Sequence, residues 1–358
     1  MSERPKMRRS PAPARGFSLL EMMISMVVLL GITGMVMSAL LQTTHTEGTV
    51  HNRTEMHASV RSATELLQQE IGQAGRVALP PGNFSLTQNV TASATAQSVG
   101  VTAGAAAGMF AGEYLVIDAG TGYPNGISTV TSLALCNPAP CSNQETVQVT
   151  AVNSASNTFS AIFNFSHNSG APVTVQGGFG TGVVPESAAP YSMTNGSDQT
   201  HLKLYGDING DGKMVYLEYI CDWAGSGNLY RSETAFDSTT NTPTINAKQV
   251  LLPNLVSTGN PGGTPCFVYQ EQPTNCNSTV TNPCFVTDVA VTLTVQTQQP
   301  DPSTGLYQKE TKALLNVSPR NVFDAYQLST NSNNRVQPMP PAVGVPNGST
   351  CTGCLTAQ

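Results

Sequence analysis

The feature that most constrains this chain is an unbroken apolar stretch near its N-terminus. Residues 17–41 read FSLLEMMISMVVLLGITGMVMSALL and include a single charged side chain, that of Glu21. About 20 apolar helical residues cross the hydrocarbon core of a bilayer, so this stretch is predicted to span a membrane. A cleaved secretory signal matches poorly, because its apolar part runs only about 7–15 residues and ends in a small-x-small cleavage site.

The charges before this stretch predict its orientation. They are Glu3, Arg4, Lys6, Arg8, Arg9 and Arg15. Basic residues stay on the cytoplasmic side, so residues 1–16 are predicted to lie in the cytoplasm. The sequence therefore predicts a single-pass membrane protein whose head, from about residue 42 onward, lies outside the cytoplasm. Because the whole chain carries a net charge of -6 and the leader carries +4, the remainder carries -10. An acidic head of this kind lacks the net positive charge with which proteins bind nucleic acid.

Glu21 is the residue that an ordinary membrane anchor does not explain. A carboxylate inside a membrane segment is costly and usually marks function. The alternative is that Glu21 lies near the cytoplasmic end of an isolated anchor helix and reaches the interface with water.

The residues around Glu21 resemble a known signature. The sequence Gly16-Phe17-Ser18-Leu19-Leu20-Glu21 resembles the G-F-x-x-x-E motif of type IV prepilins and type II secretion pseudopilins. The resemblance implies that a prepilin peptidase cleaves between Gly16 and Phe17, and that the new amine of Phe17 is methylated. It also implies partners: major and minor pilins, an inner-membrane platform protein and an assembly ATPase. The subunit would pass from the inner membrane into an extracellular pilus.

Physical chemistry gives Glu21 a role in such an assembly. Cleavage would create a positive amine on Phe17, about one helical turn from Glu21. In a bundle of these helices, the Glu21 carboxylate of one subunit would neutralise the amine of its neighbour. An ion pair shielded from water penalises an unpaired partner, so this pair would set the register of stacked subunits.

A second apolar pattern extends the helix beyond the membrane. Apolar residues recur at spacings of three and four along one helical face, at Met56, Val60, Ala63, Leu67, Ile71 and Ala74. The spacing predicts one helix over residues 17–76, ended by Gly72, Gly75 and Pro80-Pro81. After it the chain is rich in β-forming residues. The predicted fold class is α+β, with a long transmembrane and amphipathic helix packed on an antiparallel β-sheet head, as in type IV pilins.

Composition and pattern divide the chain into six parts. They are a basic leader (1–16), a transmembrane helix (17–41), its amphipathic extension (42–78), an inserted β-rich module (82–185), a β-sheet head (190–325) and an irregular tail with Cys and Pro (326–358). Residues 82–110 are predicted as loop. Strands are predicted at 113–118, 146–152, 158–165, 201–205, 214–221, 228–231, 288–296 and 312–317.

The head carries a second, looser resemblance. Within residues 200–321, the order of a strand, an Asp-rich turn, a Tyr-containing strand and Leu-Tyr-Arg resembles minor pilins of the PilW type, and next to them J-type pseudopilins. The closing segment Ser318-Pro319-Arg320-Asn321 resembles the same proteins.

The Asp-rich turn has two interpretations. Asp207, Asn209 and Asp211 alternate before Gly212, and Glu218 follows, which formally matches an EF-hand loop with oxygen ligands for Ca²⁺. Both flanks are predicted as strands, however, and Glu218 would then lie too far along its strand to be a ligand. A tight hairpin turn without metal is the other interpretation, since Asn-Gly and Asp-Gly favour such turns. The sequence leaves both open.

Eight cysteines follow the membrane segment and none precedes it. They are Cys136, Cys141, Cys221, Cys266, Cys276, Cys284, Cys351 and Cys354. This distribution is typical of disulfides in an oxidising compartment, although the sequence does not fix the pairing. A zinc site at the tail CxxC is the alternative, but no second CxxC or His pair stands at ligand spacing.

Catalytic signatures are missing from the sequence, which has no G-x-S-x-G, H-E-x-x-H or phosphate-binding loop. Together with the two resemblances, the sequence predicts a minor pilin, a structural and assembly-initiating subunit of a type IV pilus, rather than an enzyme. Two alternatives stay open. One is a J-type pseudopilin of type II secretion. The other is a membrane-anchored adhesin or binding protein that does not assemble and keeps residues 1–16.

Overall fold

The computed structural model describes residue 16 and residues 18–118, 144–188, 193–235, 247–273, 284–329 and 336–346. In this part of the chain a long N-terminal helix is followed by antiparallel sheets, which confirms the predicted α+β class. The described residues form two compact units. One contains the described residues up to Glu55 together with Gln299–Gln308, and the other contains the described residues of Met56–Gln298 and those from Lys309 onward.

The helices in the described residues are α1 (Leu19–Gln73) and α2 (Arg320–Ser329). The strands are β1 (Ser93–Gly100), β2 (Tyr114–Ile117), β3 (Glu145–Asn153), β4 (Thr158–Phe163), β5 (Val173–Val175), β6 (Met193–Thr194), β7 (His201–Gly206), β8 (Val215–Asp222), β9 (Asn228–Ala235), β10 (Gln249–Leu252), β11 (Phe267–Gln272), β12 (Phe285–Gln296), β13 (Lys309–Val317) and β14 (Val345–Pro346).

In the first unit, the loop Gln299–Gln308 is fastened to α1. The Thr49 hydroxyl lies 3.3 Å from Asp301 Oδ2, and the Arg53 guanidinium donates to the side chain of Gln308. Asp301 Oδ1 also accepts the backbone N–H of Ser303 at 2.8 Å, so one buried carboxylate both shapes the loop and holds it against the helix.

In the second unit, the face of α1 predicted from the sequence is buried. The six residues Met56, Val60, Ala63, Leu67, Ile71 and Ala74 are each at most 9% exposed. They share one apolar core with strands from two sheets. The spacing of three and four residues therefore identified the packed face correctly.

The helix ends slightly earlier than predicted, at Gln73 rather than at about residue 76. Gly75 has a φ of 84°, the left-handed conformation that often follows a helix. Its N–H donates to the Tyr205 carbonyl at 2.9 Å, and a Cβ at this position would lie 2.7 Å from the Gly180 carbonyl oxygen. Close contact with the sheet therefore requires glycine here and stops the helix.

Two antiparallel sheets contribute to the core with α1. Their strand orders are β10-β9-β8-β7 and β11-β12-β13. Alternate residues of β7 and β8 face opposite sides. Leu204 and Leu217 belong to the core with α1, whereas Tyr205 and Tyr216 belong to a smaller core.

A five-stranded sheet of order β1-β4-β3-β2-β5 has an apolar core of its own. The side chain of Gln337, which is 1% exposed, joins two of its segments. Gln337 Oε1 accepts the Tyr114 N–H at 2.9 Å, and Gln337 Nε2 donates to the Gln176 carbonyl at 2.7 Å. The division of the chain into module, head and tail stays a prediction.

All eight predicted strands are present, with ends that differ by a few residues. The predicted loop at 82–110 is wrong where Ser93–Gly100 form strand β1. Pairing with β4 at the edge of the sheet overrides the weak strand preference of the Ser and Ala residues in β1. Helix α2 extends past the predicted start of the irregular tail at residue 326, and strand β14 lies within that tail, so its described part is not wholly irregular. Val322 and Ala325 of α2 are fully buried in the core with α1, and this packing stabilises a short helix. Strands β5, β6, β10 and β11 also lie outside the eight predicted strands.

Candidate functional site at the start of the N-terminal helix

The predicted processing site lies where α1 begins. Gly16 is exposed, Phe17 lies outside the described residues, and the helix starts at Leu19. The backbone N–H of Ser18 donates to Glu21 Oε2 at 3.1 Å, and the N–H of Met22 donates to the Ser18 carbonyl at 3.1 Å. Glu21 thus binds one of the backbone donors that the first turn of a helix leaves without an intrahelical partner.

This contact is the Glu-to-backbone hydrogen bond of a capping box, whose pattern S-x-x-E is present at Ser18 and Glu21. A carboxylate at this position is also favoured by the positive end of the helix dipole. The pattern is readable in the sequence, but neither predicted role of Glu21, as partner of a neighbouring amine or as a side chain at the interface with water, included it. In the single chain, Glu21 caps its own helix.

The apolar stretch that follows Glu21 is exposed. An 18-residue window of α1 has a mean hydropathy of 2.3 with 0% of it buried, and among the described residues this is the one helix long and apolar enough to cross a membrane. Leu19 and Met35 expose 78% and 76% of their surface. The hydroxyls of Ser25 and Thr33 donate to carbonyls four residues earlier, so their polar groups are satisfied within the helix. A helix of this kind near the N-terminus is suited to anchor the chain in a membrane.

The Asp-rich turn joins β7 to β8, and each of its three predicted ligand side chains has a polar partner. Asp207 accepts the Gly212 N–H at 3.0 Å and lies 3.4 Å from the Arg76 guanidinium. The Asn209 side chain donates to the Glu233 carboxylate at 3.1 Å. Asp211 accepts the Lys213 N–H at 3.0 Å. Glu218 lies within β8, as expected. Within the described ranges, no group of three or more His, Cys, Asp or Glu side chains could hold a metal ion.

Disulfide bonding is present among the described cysteines. Cys221 of β8 is bonded to Cys266, 45 residues later, and Cys284 is also disulfide-bonded. The remaining cysteines of the prediction lie outside the described residues, namely Cys136, Cys141, Cys276, Cys351 and Cys354. The bond between Cys221 and Cys266 ties β8 to the segment that leads into β11 and lies in the core shared with α1.

A buried charge cluster that the sequence analysis missed lies in the five-stranded sheet. The ring of His167 has Nδ1 2.7 Å from Asp118 Oδ2 and Nε2 2.7 Å from Glu145 Oε1. Ionised carboxylates only accept hydrogen bonds, so the ring must carry a proton on both nitrogens to satisfy both contacts. Burial lowers the pKa of His167, but the hydrogen bonds and charges of Glu145 and Asp118 outweigh burial and raise that pKa overall.

The cluster has a clear structural role. Asp118 directly follows β2 and Glu145 begins β3, so the protonated ring of His167 ties two strand ends of the same sheet together. The three residues lie far apart in the sequence and match no motif, so no local signal could have revealed them.

No known protein family, curated protein or solved structure matches this chain. Its function is therefore argued from its own residues and their geometry.

Proposed function

We propose that this chain is a minor pilin, a structural and assembly-initiating subunit of a type IV pilus. The observation that carries the proposal is the division of α1 into two halves. The first half is apolar and exposed, follows Gly16 and Ser18 and carries Glu21 in its first turn, and the second half buries one apolar face against antiparallel sheets. A subunit that must leave the membrane and pack its helix into a filament core, with its head outside, needs this division.

In the proposed pathway, prepilin peptidase removes residues 1–16 and the mature chain begins at methylated Phe17. The helix is stored in the inner membrane until a platform protein and its ATPase extract it, and the subunit then belongs to an extracellular filament of major and minor pilins. The role is structural, with no catalysis of its own on a substrate.

Glu21 changes partner in this pathway. In the isolated chain its carboxylate accepts the Ser18 N–H at 3.1 Å. In the filament it would bind the amine on Phe17 of a neighbouring subunit. The Ser18 N–H is partly positive and the amine is positive, so the negative charge of Glu21 has a partner before and after assembly. An apolar environment requires such a partner.

The proposal is tested by the N-terminal mass of the full chain purified from its native membrane. We expect a mature chain that begins at methylated Phe17. The matched control is the same chain from cells that lack prepilin peptidase, which should keep residues 1–16.

An intact leader in cells with an active peptidase would overturn the proposal and would favour a non-assembling anchored adhesin. If processing occurs, deletion of the gene distinguishes a subunit of a type IV pilus from a subunit of the type II secretion pseudopilus. Loss of pili supports the minor pilin, whereas loss of enzyme secretion with pili intact would assign the chain to a pseudopilus of type II secretion.

A further inference from the structure

A buried amine, a carboxamide and a carboxyl group meet on one face of β7 and β8. Lys203 and Glu218 lie directly opposite each other in the register of the two strands, and each side chain is 4% exposed. Both residues alternate with residues of the core shared with α1, so they lie on the other face of the sheet. Asn195, which directly follows β6 with a φ of 60°, faces them from a neighbouring segment.

The distances bring the reactive groups together. Lys203 Nζ donates to Asn195 Oδ1 at 2.9 Å, and Glu218 Oε1 lies 3.8 Å from the same Nζ. Glu218 Oε1 is buried and accepts no hydrogen bond from the described residues. The carboxylate is therefore placed to take a proton from the amine.

The amide of Asn195 is held in one orientation. Its Nδ2 donates to the Val343 carbonyl at 2.7 Å and lies 3.5 Å from the hydroxyl of Tyr216. A carbonyl can only accept and an ammonium can only donate, so the nitrogen must face Val343 and the oxygen must face Lys203. This polarises the side-chain carbonyl toward the amine that would attack it.

We propose that Lys203 and Asn195 condense to form an intramolecular isopeptide bond, with Glu218 as the proton acceptor. A bond forms between Lys203 Nζ and Asn195 Cγ, and the bond between Cγ and Nδ2 breaks. One proton passes from Nζ to the departing nitrogen by way of Glu218, and one molecule of ammonia leaves. No electrons are exchanged, so no oxidant or further reactant is needed.

The surroundings favour the protonation states that this reaction needs. Burial lowers the pKa of Lys203 against the opposing charges of Glu218 and Asp198, and burial raises the pKa of Glu218 despite the charge of Lys203. Both directions favour transfer of the ammonium proton of Lys203 to Glu218, which leaves a neutral, nucleophilic amine beside a carboxyl group that can pass the proton on to the departing nitrogen. The hydroxyl of Tyr216 also lies 3.5 Å from Asn195 Nδ2, the nitrogen that would leave.

Burial also explains why the condensed form would persist. An ammonium withdrawn from water is costly, whereas a neutral amide with hydrogen-bond partners is not. Fixed proximity replaces the encounter of two separate reactants. The product would close a ring over residues 195–203, fasten the segment after β6 to β7, and be irreversible once ammonia diffuses away.

The test is mass spectrometry of the full chain purified from its native membrane, with its disulfides reduced. We expect an intact mass lower than the sequence mass of the processed chain by one ammonia. Trypsin gives a second readout, because an acylated lysine is not cleaved. Lys203 is the first Lys or Arg after Arg76, so peptides 77–203 and 204–213 should be replaced by one peptide 77–213 that lacks ammonia.

Three variants locate the chemistry. Lys203→Arg and Glu218→Gln should each restore the full mass, the first by removing the nucleophile and the second by removing the proton acceptor. Lys248→Arg, at an exposed position, is the matched control and should keep the loss of ammonia. A wild-type chain with full mass and normal cleavage after Lys203 would overturn the proposal, whether or not any variant folds. If Lys203→Arg still lacks one ammonia, the loss comes from another residue, and this result would also overturn the proposal.

Discussion

Replacement of His167 by Gln should loosen the five-stranded sheet. The substitution removes the positive charge between Asp118 and Glu145 but keeps a side chain that can donate a hydrogen bond. Breaking a buried ion pair by removing one partner costs about 3–5 kcal/mol. Glu145, with a side chain 4% exposed, keeps the backbone N–H groups of Asn164 at 2.9 Å and Phe165 at 3.2 Å. Asp118 is 17% exposed and reaches water. We therefore expect the lower end of the range, about 3 kcal/mol.

The assay is amide hydrogen exchange of β3 and β4, measured by mass spectrometry on the full-length protein. Local opening that becomes about 3 kcal/mol easier should speed exchange in these strands about a hundredfold. His57→Gln is the matched control. His57 is 58% exposed and pairs with Glu310 on the surface, so its replacement should leave exchange of β3 and β4 unchanged.

The pH dependence follows from the raised pKa of His167. The stabilisation is complete below the ordinary pKa of histidine, about 6.5. It is lost as the pH rises through the higher pKa of the folded state, where the ring loses its second proton. At each pH the exchange rates of β3 and β4 in His167→Gln are compared with those in the wild type. The difference between the two proteins should narrow as the pH rises. Equal exchange in the two proteins at pH 6, or a gap that widens with pH, would refute the reasoning.

Two further predictions concern α1. Glu21→Ala should still be cleaved after Gly16 but should be depleted from sheared filaments, whereas Glu47→Ala, also exposed on α1, should enter them normally; equal incorporation would argue against the proposed pairing of Glu21 with a neighbouring amine. Arg231→Met leaves Glu70, which is 5% exposed, without the guanidinium that binds it at 2.5 Å, so the free energy of unfolding should fall by about 3 kcal/mol. Fluorescence of Trp223 measures this unfolding, and Glu70→Gln added to Arg231→Met should recover part of the loss; full stability of Arg231→Met alone would contradict the argument.

The sequence by itself determined the features that depend on local periodicity. A run of apolar residues identified the part of α1 that is long and apolar enough to cross a membrane, and spacings of three and four identified its buried face from Met56 to Ala74. Alternation identified eight strands. These predictions succeeded because a helix or strand repeats at a fixed period, so neighbours in sequence report which side chains share a face.

Only the tertiary structure decided which distant residues meet. His167 lies 49 residues from Asp118 and 22 from Glu145, and Arg231 lies 161 residues from Glu70. Lys203 and Glu218 face each other because β7 and β8 pair in one register. A shift of that register by one residue would turn either side chain to the opposite face of the sheet. Such contacts follow from strand order, register and the packing of the core, and these are properties of the whole fold rather than of any short segment.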